Sequence, residues 1–244
     1  MTTPPTTATT ATAAIVVLAA GSGTRVGAEV NKILLPLRGQ PLLAWSVRTA
    51  LEVADVDPVL VVHRPGERAD IGAALLPVIG EREVLLVEGG ATRQDSEQAA
   101  LAALAPRVDD GSIDVIAIHD GARPLVEAEL FATAIATARR YGGAVPTVDL
   151  AGPLPRDPAV APAPGGAGTR LVGVQTPQAF RAAPLRAAYA AAAAAGFDGT
   201  DTAAAFARFA PPELEVRAVP SGPANLKVTF AEDLRVAERL LVLR

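Results

Sequence analysis

Ile15-Val16-Val17-Leu18-Ala19-Ala20-Gly21-Ser22-Gly23 is the stretch that decides the fold. Four successive apolar residues, with no polar alternation, read as a strand buried on both faces, which is the pattern of a parallel sheet. The small residues and glycines that follow read as a tight turn. Working outward, Pro41 to Ala54 carries Leu42, Leu43, Trp45, Val47 and Leu51 at helical spacing, and Val59 to Val62 repeats the short apolar run. Glu67 to Leu76 reads as a helix, Val84 to Val87 as a strand, and Arg93 to Leu104 as a helix after the Gly89-Gly90 turn. Val115 to Ile118 and Glu127 to Tyr141 add one more strand and helix. This alternation implies βαβ crossovers in an α/β, doubly wound, mostly parallel sheet, a Rossmann-like architecture with ligands expected at the carboxyl ends of the strands.

The remainder is less regular. Between Thr147 and Gly168 prolines and a Gly-Gly pair erase any amphipathic period, so an arm-like insertion is expected around residues 147–172. Ala183 to Ala195 and Asp201 to Phe209 read as helices, Val216 to Val219 and Lys227-Val228-Thr229 as short strands. Ala231 to Leu241 reads as a closing helix, with Glu232 and Asp233 where its dipole favours them. Residues 1–13, rich in Thr, Ala and Pro, are expected to form a disordered lead-in without the cationic and apolar regions of a signal peptide. Residues 14–244 are then expected to form a single domain.

Composition narrows the function. A chain of 244 residues that is half hydrophobic can build one sizeable core, and its net charge of −4 argues against a duplex nucleic-acid binder. With no cysteine there are no disulfides, thiolate metal sites or Cys nucleophiles. No apolar run is long enough to span a bilayer, so neither membrane nor nucleic acid is an expected partner.

The chemistry is concentrated in loops after strands. In Leu18-Ala19-Ala20-Gly21-Ser22-Gly23-Thr24-Arg25 the glycines free backbone N–H groups to approach phosphates, and Arg25 and Lys32 bring full positive charges. The string is neither a Walker A loop, lacking Gly-Lys-Ser/Thr, nor a Rossmann fingerprint, lacking the third glycine. Asp120 ends a predicted buried strand, where a carboxylate needs a cation: magnesium, or Arg123 three residues on. His63 and His119 form no metal constellation, and His119 is expected to pack or hydrogen-bond beside the Asp120 loop. Trp45 is expected in the core.

Four further segments accompany the first loop: Glu88-Gly89-Gly90-Ala91-Thr92-Arg93-Gln94-Asp95-Ser96, Ile118-His119-Asp120-Gly121-Ala122-Arg123-Pro124, Thr176-Pro177-Gln178 and Asn225-Leu226-Lys227-Val228-Thr229. In this order and combination they resemble the 2-C-methyl-D-erythritol 4-phosphate cytidylyltransferase family, including the related ribitol 5-phosphate cytidylyltransferases. The resemblance implies a cytoplasmic, homodimeric enzyme that moves CMP from CTP onto a polyol phosphate with Mg2+, in isoprenoid biosynthesis where the acceptor is methylerythritol phosphate. It implies Arg25, Lys32 and Lys227 as catalytic cations around the α-phosphate, and Ala19, Ala20, Gly21, Gly23, Gly90, Ala91 and Ser96 as nucleotide-binding residues. Asp120, Arg123 and Thr200 are implied on the acceptor side, with Asp120 also the metal ligand, although Thr200-Asp201 reads equally as a helix N-cap. Two arm positions depart from the family pattern: Leu150 stands where methylerythritol-phosphate enzymes have Thr, and Gly168 where they have Arg. Arg170 and Arg156 lie nearby in other registers. The acceptor is thus open among polyol and sugar phosphates, and a non-catalytic nucleotide-binding paralogue is the alternative of another class.

Overall fold

A computed structural model describes residues 11–21, 31–150 and 171–243. Arg25, Gly23 and Gly168, with most of the expected arm, lie outside the described residues.

The opening strand, β1 (Thr12–Leu18), is the centre of the molecule. Every residue from Ala13 to Val17 is wholly buried. It starts earlier than expected, and Thr12 and Ala13 belong to the sheet rather than to a lead-in. The reason lies across the sheet edge: the Thr12 and Ala13 amides donate to the Ser112 and Asp55 carbonyls, and the Thr12 hydroxyl donates to the Asp57 carbonyl. After β1 come a 3-10 turn (Lys32–Leu34), a small hairpin of β2 (Pro36–Leu37) and β3 (Gln40–Pro41), and α1 (Leu42–Glu52). Then β4 (Val56–His63), α2 (Arg68–Ile79), β5 (Val84–Glu88), α3 (Arg93–Asp109), β6 (Ile113–Asp120) and α4 (Ala128–Tyr141) follow in strict alternation. The chain finishes with β7 (Gly142–Asp149), β8 (Val172–Val174), β9 (Gln178–Arg181), α5 (Ala182–Ala194), α6 (Thr202–Phe209), β10 (Glu215–Pro220) and α7 (Ala231–Val242).

The main sheet is eight-stranded, in the order β10-β7-β9-β6-β1-β4-β5, with β8 pairing β7. β1 pairs parallel with both β4 and β6, so the chain winds one way to β5 and the other way to β6. That reversal at β1 opens a crevice beyond its carboxyl end, where α/β sheets bind ligands. β1 serves both layers, as a double-sided strand must. Ile15 and Val17 face α1, α2 and α4, while Ala14 and Val16 face α3, α5 and α6.

The parallel, doubly wound half matches the expectation, and the other half corrects it. Gly142–Asp149 is a strand that the sequence pattern did not announce, and β9 runs antiparallel to both β6 and β7. Lys227-Val228-Thr229, expected to be a strand, is irregular: one backbone bond ties it down, from the Val228 amide to the Ala122 carbonyl at 2.8 Å. It lies against a loop, not a strand edge, so no ladder can propagate. α2 and α3 run further than expected, each continuing through a proline in its last turn. α7 covers β2 and β3 in a third small core around Leu37, Leu42, Leu125, Val228 and Ala237. Trp45 packs there and donates its indole N–H to the Leu37 carbonyl at 3.0 Å.

Gly143 explains how β7 enters the sheet despite its glycines. A Cβ there would lie 2.7 Å from Phe180 Cδ1 and 2.9 Å from Cε1, so the ring occupies the space that any side chain needs. Phe180 stacks in turn on Phe206, with centroids 4.6 Å apart. Gly143→Ala is therefore expected to destabilise the fold by about 1–3 kcal/mol, the usual cost of overpacking. Urea unfolding followed by circular dichroism measures it, and a midpoint equal to that of the parent chain would contradict this packing.

Candidate active site

The described residues that follow β1, β5 and β6 lie at the same, carboxyl edge of the parallel sheet. Gly89 shows how closely the first two meet: a Cβ on it would lie 3.1 Å from Ala20 Cβ, 2.9 Å from Val62 Cγ1 and 2.7 Å from Ser96 Oγ. Only glycine allows this approach, and it draws the Gly-Gly turn against the end of β1. Thr92 then caps α3 through a capping box with Asp95, each bond 3.0 Å long. Gly90 and Ala91 lie in the turn just before the Thr92 cap and are exposed. Ser96, expected at the base, is buried in the first turn of α3 and donates its hydroxyl to the Thr92 carbonyl at 3.0 Å.

On the other side of β1, Asn31 fixes where Lys32 begins. Its buried amide donates to the Ala19 carbonyl at 3.3 Å and to Glu67 Oε2 at 2.7 Å, and its carbonyl caps the 3-10 turn at Ile33. Lys32 thus springs from beside the last residues of β1. Arg64 donates to the Gly21 carbonyl and pairs with Glu67, which holds the start of the glycine loop.

Asp120, the last residue of β6, is where the motifs gather. Its Oδ1 accepts from Arg93 Nη1 at 2.6 Å, its Oδ2 from Lys227 Nζ at 2.8 Å, and Arg123 Nε stands 3.7 Å away. Its backbone amide donates to Thr176 Oγ1 at 3.0 Å. Burial alone would raise the Asp120 pKa, but Arg93 and Lys227 outweigh it and hold the carboxyl well below the usual range. Asp120 is therefore an anion at any physiological pH. The surrounding segments are sewn together by Asn225, which donates to the Thr176 carbonyl at 2.9 Å and to Gln175 Oε1 at 3.1 Å. The Asn225 carbonyl accepts Arg123 Nη1 at 2.7 Å. Lys227, two residues on, keeps its ammonium partly exposed.

Placement of the remaining expected residues is mixed. Arg123 is largely buried and partly spent on the Asn225 carbonyl, so it fastens one loop to another as well as facing Asp120. Thr200 is exposed, and the cap of α6 is Asp201, whose Oδ1 accepts the Ala204 amide at 2.9 Å. Asp201 Oδ2 also takes Gln178 Nε2 at 3.0 Å, tying the loop before α6 to the Thr-Pro-Gln segment. Among the described residues, no three His, Cys, Asp or Glu side chains gather as a ready metal site.

Similarity to known proteins bears on this arrangement. The family model for 2-C-methyl-D-erythritol 4-phosphate cytidylyltransferase matches residues 13–242. The chain belongs to that family. A family member from Cereibacter sphaeroides is 40% identical over 239 residues, covering 94% of this chain and 97% of its own. One from Synechococcus sp. is 38% identical over 230 residues, covering 93% and 96%. Of the solved structures, the cytidylyltransferase of Thermus thermophilus superposes with a TM-score of 0.67 at 29% identity, covering 94% of this chain and 98% of that one. The synthase from Anaerococcus prevotii reaches 0.79 at 24% identity, covering 95% and 96%, and at that distance speaks for the fold alone.

Within this cytidylyltransferase framework, several site residues escaped sequence reasoning. Arg93 was visible only as a letter in a motif; that it reaches Asp120 depends on where α3 lands. Asn31, Arg64 and Asn225 act through backbone carbonyls, which leave no pattern in the sequence. His119 does pack and bond beside the Asp120 loop. The Thr176 hydroxyl, accepting the Asp120 amide, donates to His119 Nδ1 at 3.2 Å, and His119 Nε2–H donates to the Arg123 carbonyl at 3.3 Å. This relay requires the neutral imidazole, and burial pushes the His119 pKa down to about 4. Because the folded value lies below the ordinary 6.5, its contribution to stability is complete above about pH 6.5 and is lost as pH falls toward 4. Chemical unfolding across that window is expected to show a smaller decline in His119→Gln than in the parent chain, and parallel curves would refute the assignment.

Proposed function

We propose that this chain transfers CMP from CTP to 2-C-methyl-D-erythritol 4-phosphate, releasing pyrophosphate. Membership of the family supports the activity. The observation that carries it to these residues is Asp120, at which the Gly-Gly-x-x-Arg, His-Asp-x-Ala-Arg-Pro, Thr-Pro-Gln and Asn-Leu-Lys segments meet beside the crevice at β1. An acceptor phosphate oxygen attacks the α-phosphorus of CTP as the bond to the bridging oxygen of pyrophosphate breaks. The attacking oxygen is already ionised, so no general base is needed. The task is to bring two anions together and to stabilise charge on the α-phosphate.

The chain's own groups suit that task. Lys227, held on Asp120, is assigned to the reacting phosphates together with Lys32, rooted beside the end of β1, and Arg25 is assigned as the third catalytic cation. Lys227 is oriented by Asp120 yet partly exposed, so an arriving phosphate can share it. The turn formed by Ala19, Ala20 and Gly21 against Gly89 brings backbone amides near the nucleotide, and Gly90 and Ala91 offer their backbone edges to cytosine. Ser96 supports this from beneath the turn. Asp120 can accept a polyol hydroxyl while staying charged, with Arg123 and Thr200 assigned to the same acceptor.

Magnesium fits this donor set only as an ion carried largely by the triphosphate, with Asp120 as its protein ligand, because that oxygen pair is the acidic group at the node and keeps lone pairs beyond its two ion pairs. Bound there it would neutralise phosphate charge. A homodimer through the arm, acting in the cytoplasm, completes the reading. Exposed Leu150, Leu171 and Val174 at the arm's root supply apolar surface for a second copy to cover.

Leu150 supports a second reading of the acceptor, as ribitol 5-phosphate or another polyol phosphate. It is 42% exposed and its side chain can make no hydrogen bond, where a hydroxyl is expected for methylerythritol phosphate. Pyrophosphate release, measured with CTP, UTP, ATP and GTP against both acceptors, separates the readings. Turnover with CTP and methylerythritol phosphate above all other pairs is expected. Preference for ribitol phosphate would move the acceptor, and CTP binding without turnover would make the chain a paralogue that only binds. In the same assay, Lys227→Ala is expected to lower kcat about 100-fold, the scale of losing one preorganised donor to a developing charge. Retention of kcat would remove Lys227 from the chemistry.

A further inference from the structure

Glu97 lies one turn inside α3 and is 1% exposed, too deep to touch substrate. Three elements nevertheless direct donors at it. Arg93 Nε, on the same helix, donates to Oε1 at 3.0 Å; Thr202 Oγ1, at the start of α6, donates to Oε1 at 2.8 Å; and the Tyr189 hydroxyl of α5 donates to Oε2. Burial raises the Glu97 pKa, and Arg93, Tyr189 and Thr202 act against that rise. A buried ion pair is generally no more stabilising than well-packed apolar groups of the same volume. What it does provide here is geometry.

Arg93 is gripped at both ends. Its Nε rests on Glu97, and its Nη1 reaches Asp120 at 2.6 Å. Asp120 in turn holds Lys227 at 2.8 Å. A continuous line of polar contacts therefore runs from the α5 core through Glu97, Arg93 and Asp120 to the catalytic ammonium. A guanidinium fork held by two carboxylates cannot swing as a lone arginine would. Through Thr202 the same carboxylate grips the first turn of α6, directly after Thr200 and Asp201. The nucleotide side of the crevice, at the start of α3, and the acceptor side, at the start of α6, share this one anchor.

We propose that Glu97 is a positioning residue: it braces Arg93 against Asp120, and so sets where Lys227 stands when the phosphates meet. Its kinetic consequence rests on the cytidylyltransferase reading; the brace itself does not. Two readouts follow, for Glu97→Gln, Arg93→Gln and the double variant. The first is exchange of the Arg93 Nε–H proton, seen in 15N NMR of the full chain and read in the parent chain and in Glu97→Gln, which both keep Arg93. The second is kcat and KM from pyrophosphate release, read in all three variants. Glu97→Gln is expected to speed that exchange about tenfold and to lower kcat about tenfold, with the KM for CTP changed by no more than about threefold. The double variant should be about as slow as Arg93→Gln alone, because coupled groups do not add. Tyr189→Phe, which keeps the carboxylate but removes one donor, should lower kcat by a smaller factor of about three and serves if Glu97→Gln folds poorly.

Glu97→Gln with kcat within about twofold of the parent overturns the proposal, as do losses that multiply in the double variant. If the parent chain turns over no nucleotide, the activity reading falls. The exchange measurement then decides on Glu97 alone: faster exchange upholds the brace, and unchanged exchange overturns it.

Discussion

A carboxylate buried at the end of a central strand is costly unless cations reach it, and Asp120 imposes that requirement on this molecule. Arg93 comes to it from the helix after β5, and Lys227 from the irregular segment before α7. Both partners belong to segments distant in the sequence, so satisfying one charge also determines how three loops pack. The result is a cluster in which three cations, Arg93, Arg123 and Lys227, meet two carboxylates, Asp120 and Glu97. In the proposed transfer, cations arranged in advance would spare the reorganisation that water otherwise undergoes around the reacting phosphates.

The scaffold supports this by holding loops through the backbone instead of relying on long side-chain contacts. Asn31 caps one turn while it grips Ala19, Asn225 joins two carbonyl-rich segments, and Arg123 closes the loop after β6. Small residues make the approach possible: Gly89 against Ala20, and Gly121, where a Cβ would lie only 2.9 Å from Leu43 Cδ1. A chain so rich in Ala and Gly has few bulky side chains to keep loops apart. At Gly89 and Gly121 the loops therefore come close to β1 and its flanking residues.

The neutral His119 relay and the ionised Asp120 show how adjacent residues on one strand acquire opposite electrostatic characters. His119 points into the core against Phe131, with ring centroids 5.1 Å apart, where burial disfavours charge. Asp120 turns to the crevice, where Arg93 and Lys227 favour it. The alternation of a strand puts neighbours on opposite faces, so a polar residue in the core and a charged one at the site can follow one another without conflict.

The doubly wound half of the fold is legible in the sequence, because fully buried strands and amphipathic helices write their burial into local composition. The residues it singled out for phosphate chemistry, Ala19 to Gly21, Gly90, Asp120 and Lys227, stand at or beyond the carboxyl ends of these strands or, for Lys227, against one of them. That β7 and β9 join the sheet emerges only in three dimensions, since Gly142, Gly143 and Pro146 carry no strand pattern: Gly143 gains its place from Phe180, Gly142 from Leu214, and Pro146 pairs with Val219 of β10. So does the joining of Arg93 and Glu97 to Asp120, because an ion pair between elements depends on where helices land after the core has packed. Local hydrophobic periodicity is a property of neighbours along the chain; convergence on a single carboxylate is a property of neighbours in space.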